Sequence, residues 1–354
     1  MTDNNSLDSA FLDRCANDPS GPVALHLREF LVPVEGKGQP FFPPTYAGEK
    51  ASDNSRYNID DLPDGTRVAL VDSVGAQANR MEPIFLREPY SNLVPQVEIA
   101  YGAEKKGTAG TVSLLEVGHR LGDAIVRCTE LQEEAQRGFV AFQRGDSTAL
   151  AKLAPTSLVF GAWDSRDTGA KLPRIVQSVV RAWDVVELKR AAQYFPAVDY
   201  ADLGVISEKV QKDAKSPEAQ RGYAAVPSTD VPGGIVARGP IRRDVTINLV
   251  ALRRLHAEEA DKLRAYVLGL ALIAAGEPQD PFLRQGCLLV PDTDQSAEWC
   301  IVQRSGERTR LEWSSERALA YAQAAAEEFG VGEGRSLRFD KKRAEADKKK
   351  KDSK

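Results

Sequence analysis

Hydrophobic and polar positions along the chain follow the periods of regular elements. Residues 112–129 and 173–189 repeat apolar positions with helical spacing, so both segments are predicted helices. Weak alternation over residues 23–34 predicts a strand, and the apolar runs at 67–71 and 156–162 predict buried strands. Further predicted helices are 7–15, 73–82, parts of 130–154, 258–275 and 314–329, and further predicted strands are 235–249, 286–291 and 299–303.

This order of strands and helices predicts an α+β fold built around a modest sheet. Two segments, about 36–66 and 191–234, are rich in proline, glycine or charge and are predicted insertions within one domain of residues 1–339. The charge block at 340–354 predicts a basic, disordered tail, which either contacts RNA or only aids solubility.

The net charge of −4 hides an asymmetry. Residues 340–354 carry eight Lys/Arg and four Asp/Glu, so the tail is +4 and the rest of the chain is −8. An acidic body does not favour a solitary, non-specific RNA binder, because such binding depends on local lysines and arginines. The balance fits better a subunit that shares its ligand with neighbouring subunits.

Few residues suit a metal or a disulfide. The four cysteines form no CxxC pair, and there are only three histidines, so neither a metal nor another cofactor is predicted. The N-terminus has no hydrophobic signal region, and the apolar stretch 265–275 is too short to span a bilayer. These features predict a soluble, reduced, cytoplasmic protein without a membrane partner.

Polar side chains suited to RNA occur first in residues 73–80. Ser73, Gln77 and Arg80 fall at i, i+4 and i+7, with Asn79 beside them, so a helix would place them on one face. Near a helix start, such side chains and free backbone N–H groups hold phosphate and sugar oxygens. The alternative is an ordinary polar surface.

A second candidate segment follows Pro173. Arg174, Gln177 and Arg181 would form a stripe opposite the valines of the predicted helix 173–189, and guanidinium groups match phosphate with paired hydrogen bonds. The third segment is a turn that carries Arg238, Arg242 and Arg243. Five arginines stand against one acid over residues 236–254, which indicates an RNA-backbone tract or a set of surface ion pairs.

Signals of enzymatic chemistry are weak. The stretch Gly102–Thr108 resembles a phosphate-binding loop, but Thr108 stands where the essential lysine is needed. His119 lies one predicted turn before Asp123, yet no nucleophile is placed beside it. Asp72 and Asp164 have no recognisable metal-binding spacing. The sequence therefore predicts a binding protein rather than an enzyme.

Five segments, taken in order, carry a family resemblance. They resemble the backbone RAMP subunit of the type I-U CRISPR system, also called I-G, over roughly residues 23–330. The segments are VALVDSVGAQANRME (68–82), HRLGDAIVR (119–127), LVFGAWDSRDTGAKLPRIVQSVVRAWDV (158–185), ARGPIRRDVTINLVALRRL (237–255) and LRQGCLLV (283–290).

The resemblance implies a ferredoxin-like RAMP core of the RNA-recognition type with finger and thumb insertions, and the 191–234 insertion is a candidate thumb. It implies the partners of a Cascade subunit: guide RNA (crRNA), target DNA through the guide, further copies of the chain head to tail, and other effector subunits. The implied role is antiviral defence. The predicted RNA contacts are Ser73, Gln77, Asn79, Arg80, His119, Arg166, Arg174, Gln177, Ser178, Arg181, Arg238, Arg242 and Arg243.

Two rival functions stay open. Some related backbone subunits in type III systems cut RNA with an aspartate, so a metal-dependent ribonuclease using Asp72 or Asp164 is the main alternative. A metabolic enzyme unrelated to RNA is the other. A guide must present its bases for pairing, so a guide-binding subunit is expected to grip phosphates and sugars with little base stacking.

Overall fold

The computed structural model describes residues 7–47, 56–102, 107–213 and 215–349. Within these ranges helices and a large antiparallel sheet confirm the predicted α+β class. The helices are α1 (Ser9–Asn17), α2 (Val74–Met81), α3 (Ala124–Arg127), α4 (Gln132–Gln143), α5 (Thr148–Leu153), α6 (Thr156–Phe160), α7 (Glu208–Gln211), α8 (Pro217–Gln220), α9 (Leu249–Arg253), α10 (Ala260–Gly276), α11 (Ser315–Phe329) and α12 (Lys341–Asp347). The strands are β1 (Ala24–Pro33), β2 (Thr45–Tyr46), β3 (Arg56–Tyr57), β4 (Ile59–Asp61), β5 (Arg67–Asp72), β6 (Val97–Tyr101), β7 (Gly110–Ser113), β8 (Val176–Trp183), β9 (Val185–Tyr194), β10 (Val226–Ala237), β11 (Ile241–Asn248), β12 (Phe282–Arg284), β13 (Cys287–Pro291), β14 (Glu298–Val302), β15 (Arg308–Arg310) and β16 (Arg335–Arg338).

The main sheet has nine strands in the order β12-β13-β1-β11-β8-β5-β4, and β14 and β15 extend it beside β1. Its strand pairs are antiparallel. Helices lie between β1 and β8 and between β11 and β13 along the chain. The order β14-β1-β11-β8 with these two helical connections is compatible with the β-α-β-β-α-β pattern of a ferredoxin-like core.

Two smaller sheets leave this core. β9 and β10 pair into a two-stranded ribbon, which carries α7 and α8 between its strands and spans most of the 191–234 segment. β16, β6 and β7 form a three-stranded sheet in which β16 runs parallel to β6. Within the 36–66 segment the described residues form the short strands β2, β3 and β4, and residues 48–55 lie outside the described part.

The hydrophobic core lies on one face of the main sheet. α10 is buried along nearly its whole length and packs against α1, α6, α11 and β11. α10 approaches α11 closely where Gly269 meets Ala322, because a Cβ on Gly269 would lie 2.7 Å from the Ala322 Cα. A second, smaller cluster around Phe41, Val180 and Leu289 lies on the same side of the sheet.

The predicted helix and strand ends are confirmed where the local signal was strong. Ser73 caps α2 by accepting a hydrogen bond from the Ala76 N–H at 3.2 Å. Ser314 caps α11 in the same way, and Gly330 ends that helix with a φ of 75°, a conformation that glycine adopts without strain. The predicted strands at 23–34, 67–71, 286–291 and 299–303 are also present.

The helix predicted at 173–189 is wrong. This segment forms β8 and the first half of β9, with Asp184 between them in a left-handed conformation at φ 49°. Burial alternates strictly along β8, as a strand with one covered face requires. The many valines explain the outcome, because β-branched residues fit a pleated sheet better than a helix.

Two other predicted elements are also wrong. Residues 112–129 form the end of β7, two single 3₁₀ turns and the four-residue α3, because Gly118 and Gly122 interrupt the helical period. Residues 156–160 form the helix α6 rather than a strand. All five are buried, and a fully buried run has no period that separates a helix from a strand.

The tail prediction is wrong over part of its length. α12 begins after Asp340, whose carboxylate accepts hydrogen bonds from the Lys342 and Arg343 N–H groups. Asp347 pairs with Arg127 on α3 at 3.3 Å, so this helix is docked on the core. Residues 350–354 lie outside the described part of the chain.

Candidate nucleic-acid interface

The face of the main sheet opposite the core carries polar and charged side chains. In β8 and β11 the alternate residues Val176, Val180, Val245 and Ile247 are buried, so the residues between them point to the opposite face. β1 follows the same rule, with Leu25 buried and His26 partly exposed. The strands are therefore amphipathic, and this side of the sheet is a polar surface rather than a second core.

The strand register places five arginines on this face. Arg242 of β11 stands opposite both Arg181 of β8 and Phe30 of β1. Farther along, β15 places Arg310 opposite Cys300, which is itself opposite His26. We call this surface the sheet-face patch, and its polar members are His26, Arg28, Gln177, Arg181, Arg242, Asp244, Thr246, Glu298, Arg308 and Arg310.

Asp244 organises the centre of the sheet-face patch. Its carboxylate lies 3.4 Å from the Nε2 of His26, the Nε of Arg28 and the Nε of Arg242. Burial alone would raise the pKa of Asp244, but the hydrogen bond from His26 and the charge of Arg242 outweigh burial and lower it. One carboxylate thus holds three cationic or titratable side chains in place and leaves the patch with a positive balance.

Trp183, one of the aromatic rings on this face, is already covered. The Arg242 guanidinium carbon lies 3.8 Å from the centroid of Trp183, in a cation–π contact. Gln177 and Arg181, on the neighbouring strand, are exposed. The sheet-face patch thus offers amide and guanidinium donors to a polyanion.

A second polar surface lies where α2, the 119–122 turn and the start of β8 meet. Its base is the buried Arg120, which donates to the Asn79 side-chain oxygen and the Gly161 carbonyl, both at 3.3 Å. Arg174 lies close by, and its Nε donates to the Phe160 carbonyl at 3.1 Å. We call this surface the edge patch, and its members are Asn79, His119, Trp163, Arg166, Lys171 and Arg174, all exposed.

A buried ion pair supports the edge patch. The Arg120 Nε lies 2.7 Å from the Glu82 Oε2, and both side chains are almost fully buried. Burial raises the pKa of Glu82 to about 7, although the charge of Arg120 and a hydrogen bond from Thr156 both act to lower it. The same burial lowers the pKa of Arg120.

Comparison with known families gives a match over part of the chain. Residues 25–187 match the family model described as CRISPR-associated protein GSU0053. The match indicates a CRISPR-associated protein. No curated protein matches the chain. The matched range includes most of β1, all of α2 and β8 and the whole edge patch, and it covers four of the ten polar members of the sheet-face patch. It supports a role in CRISPR defence.

Three predicted RNA contacts are corrected by their burial. Gln77 and Ser178 lie between α2 and β8, where the Gln77 Nε2 donates to Asp72 at 2.7 Å and the Ser178 hydroxyl donates to Gln77 at 2.6 Å. Arg243 is 3% exposed and donates to Ser178 at 3.2 Å and to Glu29 at 3.2 Å. This network satisfies polar groups in the interior of the chain and does not reach its surface.

The other predicted contacts lie in different places. Ser73 serves as the α2 cap, and Arg80 pairs with Asp72 at 3.1 Å and donates to the Leu283 carbonyl. Arg238 is exposed at the turn between β10 and β11, and its N–H bonds the Asp184 carbonyl at 3.0 Å. The structure brings Gln177, Arg181 and Arg242 together in the sheet-face patch and Asn79, His119, Arg166 and Arg174 together in the edge patch.

Sequence reasoning missed several members of these surfaces. His26 and Arg28 had a signal, because alternation along β1 places them on the face opposite Leu25 and Leu27. Arg308 and Arg310 lie in a three-residue strand that has too few residues to show a period. Trp163 and Lys171 lie in a turn, and only the fold shows their exposure.

The aspartates of the ribonuclease alternative have structural partners. Asp72 accepts from Gln77 and Arg80, and Asp164 accepts from Thr168. Over the described ranges, no group of three or more His, Cys, Asp or Glu residues is placed to hold a metal ion. In the same part of the chain, none of the helices is both long and apolar enough to span a bilayer.

Proposed function

We propose that this chain is the guide-RNA-binding backbone subunit of a type I CRISPR surveillance complex, as in the type I-U system. Several copies would assemble head to tail along one crRNA and support recognition of target DNA by the guide. Within this proposal the chain carries out no chemical step of its own, and its complex works in the cytoplasm.

The observation that supports this proposal most directly is the charge of the sheet-face patch. Five arginines from four different strands stand there against Asp244 and Glu298. From β8 to β15 the patch crosses four strand spacings, or about 19 Å. A basic surface of this length suits a ribose-phosphate chain, which it would grip without reading the bases.

The type of donor also fits a guide. Guanidinium and amide groups bind phosphate and sugar oxygens, so the bases of the bound strand stay available for pairing. A head-to-tail arrangement does not close on itself and so extends into a filament. A filament allows one modest patch per subunit to hold a long RNA, which is consistent with the acidic total charge.

Co-expression with a guide tests the proposal. The double variant Arg181→Ala/Arg310→Ala removes two exposed cations from opposite sides of Asp244, and the matched control Arg137→Ala/Arg317→Ala removes two exposed arginines from helices α4 and α11. We expect the test variant to lose RNA, seen as a lower 260/280 nm absorbance ratio, and the control to retain it. For the test variant, the slope of log affinity against log salt concentration should fall in magnitude by about 0.7 per lost phosphate contact.

Two results would contradict the proposal. Full RNA content in the test variant would remove the sheet-face patch from the interface. A nucleic-acid-free monomer from the guide-expressing strain would remove guide binding altogether. Incubation of the assembled complex with complementary RNA and Mg²⁺ tests the non-enzymatic part, because regularly spaced cuts would show a ribonuclease.

A further inference from the structure

Trp163 is unusually exposed for a tryptophan in an ordered loop. It is 57% exposed and lies in the turn between α6 and β8. Large exposed aromatic rings are costly in water and often mark binding sites. Trp299 and Trp313 stack on each other at 4.2 Å and Trp183 lies under Arg242, whereas Trp163 has Lys171 over its ring and keeps more than half of its surface exposed.

The backbone around Trp163 is held from both sides. Trp163 forms a β-bridge with Lys171, and hydrogen bonds join Asp164 to Ala170 at 3.0 Å and Leu172 to Ala162 at 2.8 Å. The indole is therefore presented from a stiff ladder rather than from a loose end.

Two further contacts fix the turn. The Asp164 carboxylate is 3% exposed and accepts from the Thr168 N–H at 2.8 Å and the Thr168 hydroxyl at 2.6 Å. Gly122 packs against the Trp163 carbonyl, where a Cβ would lie 3.0 Å away. A ring presented this rigidly loses little conformational entropy when it binds a ligand.

The charges beside the ring select the ligand. The Lys171 Nζ lies 4.6 Å from the Trp163 ring centroid, and Arg166 and Arg174 are exposed nearby on the same segment. These cations would repel a cationic ligand. Docking of an apolar protein surface here would bury the cations away from water, which costs free energy. An aromatic ring beside cations suits a flat, uncharged base joined to phosphates, which is the arrangement in single-stranded nucleic acid sites.

We propose that Trp163 is a stacking site for one nucleobase of single-stranded RNA, with Lys171 and Arg174 holding the adjacent phosphates. This inference rests on the proposed function, because it adds a second contact for the same class of ligand. It differs from the expectation that this chain grips RNA with little stacking, and the experiment below decides between the two. One base per subunit would then be held by its ring rather than by its backbone.

Tryptophan fluorescence and affinity test the proposal with the full chain and a short oligoadenylate as the probe. A base stacked on Trp163 should quench the wild-type emission, and Trp163→Phe should remove that quenching but keep most of the affinity. Trp163→Ala should weaken binding roughly ten-fold or more. Phe195→Ala removes a still more exposed ring, 68% exposed, from the ribbon and serves as the control that should bind normally.

The salt dependence separates stacking from charge. Trp163→Ala should leave the slope of log affinity against log salt unchanged, whereas Arg174→Ala should reduce it by about 0.7. An oligonucleotide of abasic residues should bind the wild type and Trp163→Ala equally. This pattern would not follow from a general loss of folding.

The two proposals fail in distinguishable ways. If Trp163→Ala binds oligoadenylate like the wild type while Arg181→Ala/Arg310→Ala loses it, the stacking site is refuted and RNA binding by the sheet-face patch stands. If oligoadenylate does not quench the wild type, the stacking site is likewise refuted. If the wild type also carries no guide after co-expression, both proposals are wrong.

Discussion

Removal of Arg120 should destabilise the protein strongly, because it leaves the Glu82 carboxyl buried without its cation. Glu82 is 1% exposed, and the Arg120 Nε lies 2.7 Å from its Oε2. Breaking a buried ion pair by deleting one partner costs about 3–5 kcal/mol. That is a large part of the 5–15 kcal/mol by which domains are typically stable, so Arg120→Ala should unfold at a much lower urea concentration.

The loss of unfolding free energy in Arg120→Ala should depend on pH in a defined direction. Burial raises the pKa of Glu82 from 4.5 to about 7 in the folded protein, so this group costs nothing below about pH 4.5 and costs progressively more as pH rises to about 7. Without Arg120 the folded-state pKa rises further, so the variant continues to lose stability above pH 7 where the wild type has stopped. The two stability curves should run parallel below pH 7 and separate above it by about 1.4 kcal/mol per pH unit.

Urea unfolding of RNA-free protein, followed by circular dichroism at about pH 6 and pH 9, measures this effect. The variant Glu82→Gln has no carboxyl at this site, so the pair Glu82→Gln and Glu82→Gln/Arg120→Ala should not separate with pH. A deficit below about 1 kcal/mol in Arg120→Ala at pH 9 would refute the reasoning, since the ion pair would then contribute no more than an exposed one. Separation that persists in the Gln background would assign the effect to another group.

Three further perturbations follow from the structure. Arg243→Ala leaves the Glu29 carboxylate without its buried partner and should cost about 3–5 kcal/mol, so an unchanged thermal midpoint would contradict it. Asp244→Asn removes the acid at the centre of the sheet-face patch, so RNA affinity should rise and its salt dependence should steepen. Filter binding at two salt concentrations measures both, and an unchanged or lower affinity would contradict the prediction. Gly276→Ala places a Cβ 1.8 Å from the Trp313 Cζ2 and should cost about 1–3 kcal/mol in a thermal melt, whereas wild-type stability would show that the ring moves aside freely.

Local signals in the sequence predicted several elements well. Ser73 and Ser314 indicate helix starts, Gly330 indicates a helix end, and the length and composition of 258–275 predict a helix. Each of these signals depends on residues within a few positions of one another. Such elements form with the same ends whatever packs against them, so a single sequence suffices to place them.

The error at 173–189 preserved only part of the predicted stripe, because Gln177 and Arg181 stay on one surface while Arg174 lies in the edge patch. Gln177 and Arg181 are four residues apart, and residues at this spacing share one face of a helix and also one face of a strand. Ser178 and Gln177 point to opposite faces of β8, however, so the helical reading wrongly placed a buried serine beside an exposed amide.

Burial of the polar network could not be read from the sequence. Arg243 finds Ser178 and Glu29 at separations of 65 and 214 residues along the chain. Its neighbour Arg242 is also an arginine in nearly the same local sequence, yet it points to the other face of β11. Only the pairing of the strands decides which arginine supports the core and which reaches solvent.

The acidic total charge and a basic binding surface are compatible because charges act over a limited distance. At physiological ionic strength the Debye length is about 8 Å, so acids on other surfaces are largely screened from an RNA lying on the sheet-face patch. Their effect is on the rest of the molecule, where a negative exterior repels nucleic acid that has no matching site. Confining the arginines to one face of a sheet thus gives a local grip on one strand while the net charge of −4 opposes adsorption elsewhere.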